Sequence, residues 1–111
     1  MAPNKRAPDD LEQLGRFSEP ALLILISLAE GPKHGYAMTT DIERLSGTTL
    51  GPGTLYGALS RLEARGLVEP LPVDDRRRPY RISAAGARIL RARLASLASL
   101  TRTGQRRLVH S

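Results

Sequence analysis

Apolar residues crowd into one run, ALLILISLA at positions 21–29, and elsewhere thin into spaced positions. The run is apolar nearly all round, which predicts a buried central helix over Glu19–Glu30, stopped by Gly31-Pro32. Met38, Ile42 and Leu45 then form the inward stripe of a second helix, Gly35–Leu45, closed by Ser46-Gly47 and a TTLG turn. A third helix opens at Gly51-Pro52. Glycine is an acceptable N-cap, and proline suits the first helical position because its missing N–H has no partner there. Leu55, Leu59 and Leu62 anchor this helix to about Arg65, and Gly66 stops it. Leu67–Val73 and Pro79–Ile82 read as strands joined by the turn DDRRR. Ser83 caps a last helix that runs to about Arg102, with the tail GQRRLVHS fraying. Upstream, Leu11, Leu14 and Phe17 have the spacing of a short lead-in helix. The polar arm MAPNKRAPDD before it brings Lys5 and Arg6 within possible reach of a partner.

The order helix, helix, helix, strand, turn, strand, long helix describes a winged helix-turn-helix, mainly α with a small β-hairpin, followed by a C-terminal dimerisation helix. The expected division is 1–18 for the arm and lead-in helix, 19–83 for the DNA-binding domain, and 84–111 for the dimerisation helix and tail.

The 111 residues suit one compact domain with a modest core. The chain is 41% hydrophobic, 4% aromatic and free of Trp, so Leu, Ile, Ala and Val must fill that core. With no cysteine, a disulfide framework, a thiolate metal site and a cysteine nucleophile are excluded. The longest apolar run falls far short of the roughly 20 residues of a membrane-spanning helix, and it follows acidic residues, unlike a signal peptide. A cytoplasmic protein without membrane contact is expected.

Charge placement sharpens the picture. Up to residue 60 there are 5 basic and 7 acidic side chains, a balance of −2; from Arg61 onward there are 12 basic, all arginine, and 4 acidic, a balance of +8. A one-sided basic surface favours polyanions. An α-helix fits the B-DNA major groove, which is about 12 Å wide. With its leucines facing inward, the third helix turns Gly53, Thr54, Tyr56, Gly57, Ser60 and Arg61 outward or to the side. Thr54 suits phosphate, Tyr56 phosphate or base, and Arg61 phosphate or guanine. Arg76, Arg77 and Arg78 stand at the tip of the hairpin, where a wing meets backbone or minor groove, while Asp74 and Asp75 form the turn.

On the last helix, Leu90, Leu94, Leu97 and Thr101 alternate steps of four and three, as in a coiled-coil seam, with Ile89 and Leu100 alongside. A second copy of the chain is the expected occupant of that seam. Ala92, Ala95 and Ala98 permit close approach, and Arg88, Arg91 and Arg93 flank the seam. A two-fold dimer fits a near-palindromic target with half-sites about 10 bp apart.

Other chemistry is thin. His34 and His110 belong to no metal-ligand cluster, and His34 suits a cap or contact near the second helix. Asp41 and Glu43 read as solvated or salt-bridged. No phosphate loop, serine elbow or nucleophile–base pair occurs, so neither an enzyme nor a cofactor is expected.

Three stretches, HGYAMTTDIERLSG, LGPGTLYGALSRLEARGLVE and RRRPYRISAAG, together resemble the PadR-type transcriptional regulators of bacteria, over about residues 20–90. The resemblance implies a dimeric winged-helix DNA binder, usually a repressor, of the short branch with a single C-terminal helix. It adds Tyr36, of the His-Gly-Tyr group, to the candidate DNA contacts, and leaves a small-molecule effector unidentified. The chain departs from the family pattern at Gly51, where a Ser-like cap is common, and at Gly57, where proline is common. Pro79 and a single Tyr80 stand where a tyrosine pair is frequent. Lacking a ladder donor, Pro79 predicts an edge strand with its N–H side open. Without tryptophan, an aromatic drug pocket of the kind some members have is not expected. Two other readings stay open: a winged helix that works only by protein interaction, and a sequence-blind nucleoid binder.

Overall fold

The computed structural model describes residues 20–110. The arm and lead-in helix expected before Glu19 lie outside them. The described elements are α1 Pro20–Ala29, α2 Gly35–Ser46, α3 Pro52–Ala64, β1 Val68–Pro70, β2 Tyr80–Ile82 and α4 Ala84–Val109. The architecture is mainly helical with one small hairpin, as expected. Ile24, Leu25 and Leu28 of α1 meet Met38 and Ile42 of α2 and Leu55, Ala58, Leu59 and Leu62 of α3; Leu50, Val68 and Leu90 close the core. Removing such side chains from water is the main force holding three short helices together.

Helix ends follow local rules. Gly47, in the left-handed region at φ 75°, closes α2 by donating its N–H to the Glu43 carbonyl at 2.8 Å. At the end of α3, Gly66 (φ 73°) donates to Glu63 O and Leu67 N–H to Leu62 O, both at 2.9 Å, which is the paired arrangement of a Schellman stop. Ser83 does more than cap α4. Its hydroxyl accepts from Gly86 N at 3.0 Å and donates to Gly66 O at 2.6 Å, while its own N–H donates to Leu67 O at 3.0 Å. This joins the start of α4 to the turn after α3. A Cβ at Gly86 would overlap the Leu67 carbonyl oxygen, so only glycine allows that close approach.

Several expectations need correction. Leu45 is 58% exposed; Asp41 turns inward beside Met38 and Ile42, and the last turn of α2 lies at the rim of the core. The strands are shorter than expected, because Pro70 and Pro72 remove ladder donors from the first. The tail does not fray at Arg102: α4 continues for 26 residues to Val109. A lone Gly104 costs a helix only about 1 kcal/mol, and the Gln, Arg and Leu that follow are good helix formers.

The hairpin is antiparallel, with Val68 opposite Ile82, Glu69 opposite Arg81 and Pro70 opposite Tyr80. Nor is β2 open on its far side. Lys33, in the α1–α2 connection, pairs with Tyr80: Lys33 N–H donates to Tyr80 O at 3.1 Å and Tyr80 N–H to Lys33 O at 3.0 Å. The Lys33 side chain turns the other way, donating to the Ser27 carbonyl and pairing with Glu30 at 2.8 Å and, more loosely, with Asp41 at 3.9 Å. Asp41 accepts from the Ser27 hydroxyl at 2.7 Å and from Arg44 at 3.2 Å. The Ser27 hydroxyl holds the Asp41 carboxyl below the usual carboxylate range, against the opposing effect of burial; Lys33 and Arg44 add to the lowering.

Gly86→Ala should lower stability in urea unfolding by about 1–3 kcal/mol through overpacking. Gly57→Ala, in the middle of α3 with only the Arg61 guanidinium near, should raise it by up to about 1 kcal/mol. Asp41 gives a pH signature. Between its native pKa and the higher unfolded one, the unfolded chain binds more protons, so stability rises with pH there. The carboxylate's contribution is present above the unfolded value, near 3.8, and is lost as pH falls through the native one. Asp41→Asn should therefore weaken the fold at neutral pH and flatten the acid limb of its stability curve below about pH 4.

Candidate nucleic-acid interface

The tight approach of α3 to α2 begins at a glycine. A Cβ on buried Gly35 would overlap the Tyr56 hydroxyl, so this glycine lets the Tyr56 ring lie across the first turn of α2. Tyr56 stays 49% exposed and Tyr36, next along α2, 74% exposed. The hairpin, tied to the α1–α2 connection through Lys33 and Tyr80, brings its arginines to the same place. A cleft of about 340 Å³ results, lined by His34, Gly35, Tyr36, Tyr56, Arg76, Arg77 and Arg78. Five of the ten candidate DNA contacts thus share one cleft.

The other five stand elsewhere on α3. Gly53, Thr54, Ser60 and Arg61 are exposed and Gly57 is half-buried. The Arg61 guanidinium lies across Gly57, 3.7 Å from where a Cβ would stand. The face near the N-terminus of α3 therefore carries little bulk.

The three wing arginines look alike in sequence but are held differently. Asp74 and Arg77 close a two-residue loop, Asp74 N–H donating to Arg77 O at 2.7 Å and Arg77 N–H to Asp74 O at 3.0 Å. The loop residues Asp75 (φ 52°) and Arg76 (φ 67°) both take the left-handed conformation, as a type I′ turn demands. Asn-Gly is the usual choice there, and a side chain in that region costs roughly 1–2 kcal/mol per residue. Below the loop, Leu71 N–H donates to Pro79 O at 2.8 Å, so the first strand carries one extra residue between these two pairings. Arg78 fills that gap, its guanidinium donating to Leu71 O at 2.7 Å. Arg77 reaches His34 Nε2 at 3.0 Å. Among the described residues, Arg76 has no side-chain partner.

Three supporting residues escaped the sequence reading. Lys33 and Asp41 hold the connection on which the wing leans. Ser27 was the available signal, since a hydroxyl inside an apolar helix must find a partner. Tyr80 is the third. Burial first, then the charges of Glu63 and Tyr56, push its hydroxyl above its ordinary range, against the opposing pull of Arg78. Its ring is partly buried and packs against the core. His34 caps α2, its Nδ1 standing 3.4 Å from Ala37 N, and no group of three or more His, Cys, Asp or Glu able to hold a metal occurs among the described residues.

The candidate dimer seam changes at one end. Leu90 is only 6% exposed, because its own domain's core takes it, which leaves it almost no surface for a partner. Leu94 and Thr101 are exposed and Leu97 is half-buried. The longer helix adds Gly104 and Leu108 at the same alternating spacing, and Leu108 is 78% exposed. No described helix is long and apolar enough to cross a membrane.

A helix-turn-helix with a bare outer face on its second helix, flanked by a cationic hairpin, defines the winged-helix class of DNA-binding domains. Residues 24–92 match the Transcriptional regulator PadR-like family, and the chain belongs to that family. It is 42% identical over 84 residues to Transcriptional regulator Rv3488 of Mycobacterium tuberculosis, covering 73% of this chain and 78% of that one. It is 48% identical over 86 residues to a 37.1 kDa protein in transposon TN4556 of Streptomyces fradiae, covering 78% of this chain but only 25% of that protein's length. Transcriptional activator GvpE of Haloferax mediterranei is 41% identical over 66 residues, 60% of this chain and 33% of its own. A PadR family transcriptional regulator from Eggerthella lenta has a similar structure, with a TM-score of 0.76 and 28% identity over 92% of this chain and 91% of that one. The chain is a transcriptional regulator.

Replacing Arg76 by glycine should relieve the left-handed strain and raise the melting stability by about 1 kcal/mol; a fall would mean that the Arg76 side chain supports the hairpin.

Proposed function

We propose that this chain is a cytoplasmic, homodimeric repressor that binds a near-palindromic operator. The candidate DNA contacts and the seam on α4 are the surfaces it uses. The observation that carries this reading is the shared cleft: the exposed tyrosines of α2 and α3 stand beside three wing arginines. In this reading α3 enters the major groove, Thr54, Ser60 and Arg61 reach phosphates or base edges, and the wing lies on the flanking backbone. The second copy binds along Leu94, Leu97, Thr101 and Leu108. Repression follows from covering a promoter with a compact dimer. The GvpE relative carries the name of an activator on a longer chain, of which this one spans a third. An effector is left unassigned.

Duplex DNA from upstream of the chain's own gene, titrated beside random duplex over a range of salt, tests this. Tighter binding to the upstream DNA is expected, and Arg77→Ala should weaken binding broadly and reduce the salt slope by about one. Equal affinities would favour the nucleoid binder, and no binding at low salt the protein-interaction module. Sedimentation tests the seam. Leu97→Asp should yield monomers that bind the operator weakly. In the parent chain added salt should tighten the dimer while loosening the DNA complex, because α4 carries six arginines and no carboxylate for a like-charged twin to meet.

A further inference from the structure

His34 stands where three parts of the surface meet. It precedes the Gly35 on which Tyr56 rests, it caps α2, and it touches the wing. Its ring is half-buried, with Nδ1 3.4 Å from Ala37 N and Nε2 3.0 Å from an Arg77 guanidinium nitrogen. Both contacts bring an N–H towards the ring, yet a neutral imidazole has a single lone pair. The closer contact is to the arginine. Gly35, next in the chain, is where α2 and α3 approach too closely for a Cβ, so His34 and the guanidinium it touches stand beside that crossing.

We propose that His34 is a positioning residue, fixing the wing arginine Arg77 against the start of α2 so that it meets a backbone phosphate already in place. This rests on the reading of the cleft as a DNA surface. A guanidinium has five N–H donors in a rigid fork, and the hold on His34 uses one nitrogen, leaving the others for phosphate oxygens. A long side chain that must be ordered on binding weakens the complex several-fold, and an arginine held beforehand avoids much of that loss. Arg76, without a partner among the described residues, has no such hold, and Arg78, which also keeps free N–H donors, is tied to Leu71 within its own hairpin. Of the three, Arg77 is the one whose side chain is held from outside the hairpin, by the residue that opens α2.

Asparagine separates the N-cap position from the contact with the wing, which takes the ring's one lone pair. Its carboxamide oxygen caps a helix well but is too short to reach the wing. His34→Asn should melt at or above the parent temperature and bind the upstream duplex about three- to tenfold more weakly at fixed salt. In an Arg77→Ala background the same change should have no further effect. Unchanged binding by His34→Asn, while Arg77→Ala weakens it, would overturn the assignment to His34 alone. A loss that persists in the Arg77→Ala background would also overturn it, by placing His34 itself on the duplex. Parent-like binding by Arg77→Ala would overturn both this inference and the role given to the wing.

Discussion

The geometry of this surface depends on how the hairpin is fastened to the helices, and the fastening passes through Lys33. Its backbone pairs with Tyr80 on both sides, extending the sheet by one residue, while its ammonium group reaches Ser27, Glu30 and Asp41. A partly buried charge of this kind is held by its partners: removing one strands the other, at a cost of about 3–5 kcal/mol for buried pairs. The connection between α1 and α2 is thus pinned in two directions. Wing and helix meet directly through Val68 and the α3 leucines, and this third segment fastens the other edge of the hairpin, so the cleft between them is held from both sides.

What could be read from the sequence was whatever a few neighbouring residues decide. Gly51-Pro52 opens α3, Gly66 closes it and Ser83 caps α4, because caps are local backbone chemistry. Leu55, Leu59 and Leu62 face inward because spacing alone sets their side of the helix. The failures needed distant partners. Asp41 read as solvated or salt-bridged; it is salt-bridged, but its burial against Ser27 and Lys33 was not legible, and Leu45 looked inward although the core ends before it. Leu90 fits a seam by spacing, yet its own domain claims it. The tail continues as helix because nothing after Arg102 is a strong enough breaker. Within the candidate site, the presence of three wing arginines was legible. Their unequal holds were not, since Leu71 and His34 enter only when the hairpin folds back on the helices.

The wing also shows where stability has been given up. A type I′ loop built from Asp75 and Arg76 places two side chains in a region that glycine and asparagine occupy far more cheaply. Strain of this kind persists where the surrounding structure imposes it, here the Asp74–Arg77 pairing and the Arg78 bond beneath. The alternative sequence would shape the turn as well but would carry one cation fewer at its tip. Charge at the outermost point of the hairpin is the feature that the local conformational cost accompanies.

The same charge constrains assembly. After Asp75 the chain contains no acidic residue, and every ionisable cation from Arg76 to Arg107 is an arginine that stays charged at any physiological pH. In the proposed homodimer two such halves approach each other, and apolar contact along the seam works against their repulsion, which reaches about 10 Å at moderate salt. A duplex lying across both wings neutralises part of that charge. Binding the polyanion then favours the paired state, and by thermodynamic reciprocity pairing strengthens binding to the duplex by the same factor. In the proposed dimer the acid-free last third of the chain, which works against pairing when DNA is absent, is in this way what couples assembly to DNA.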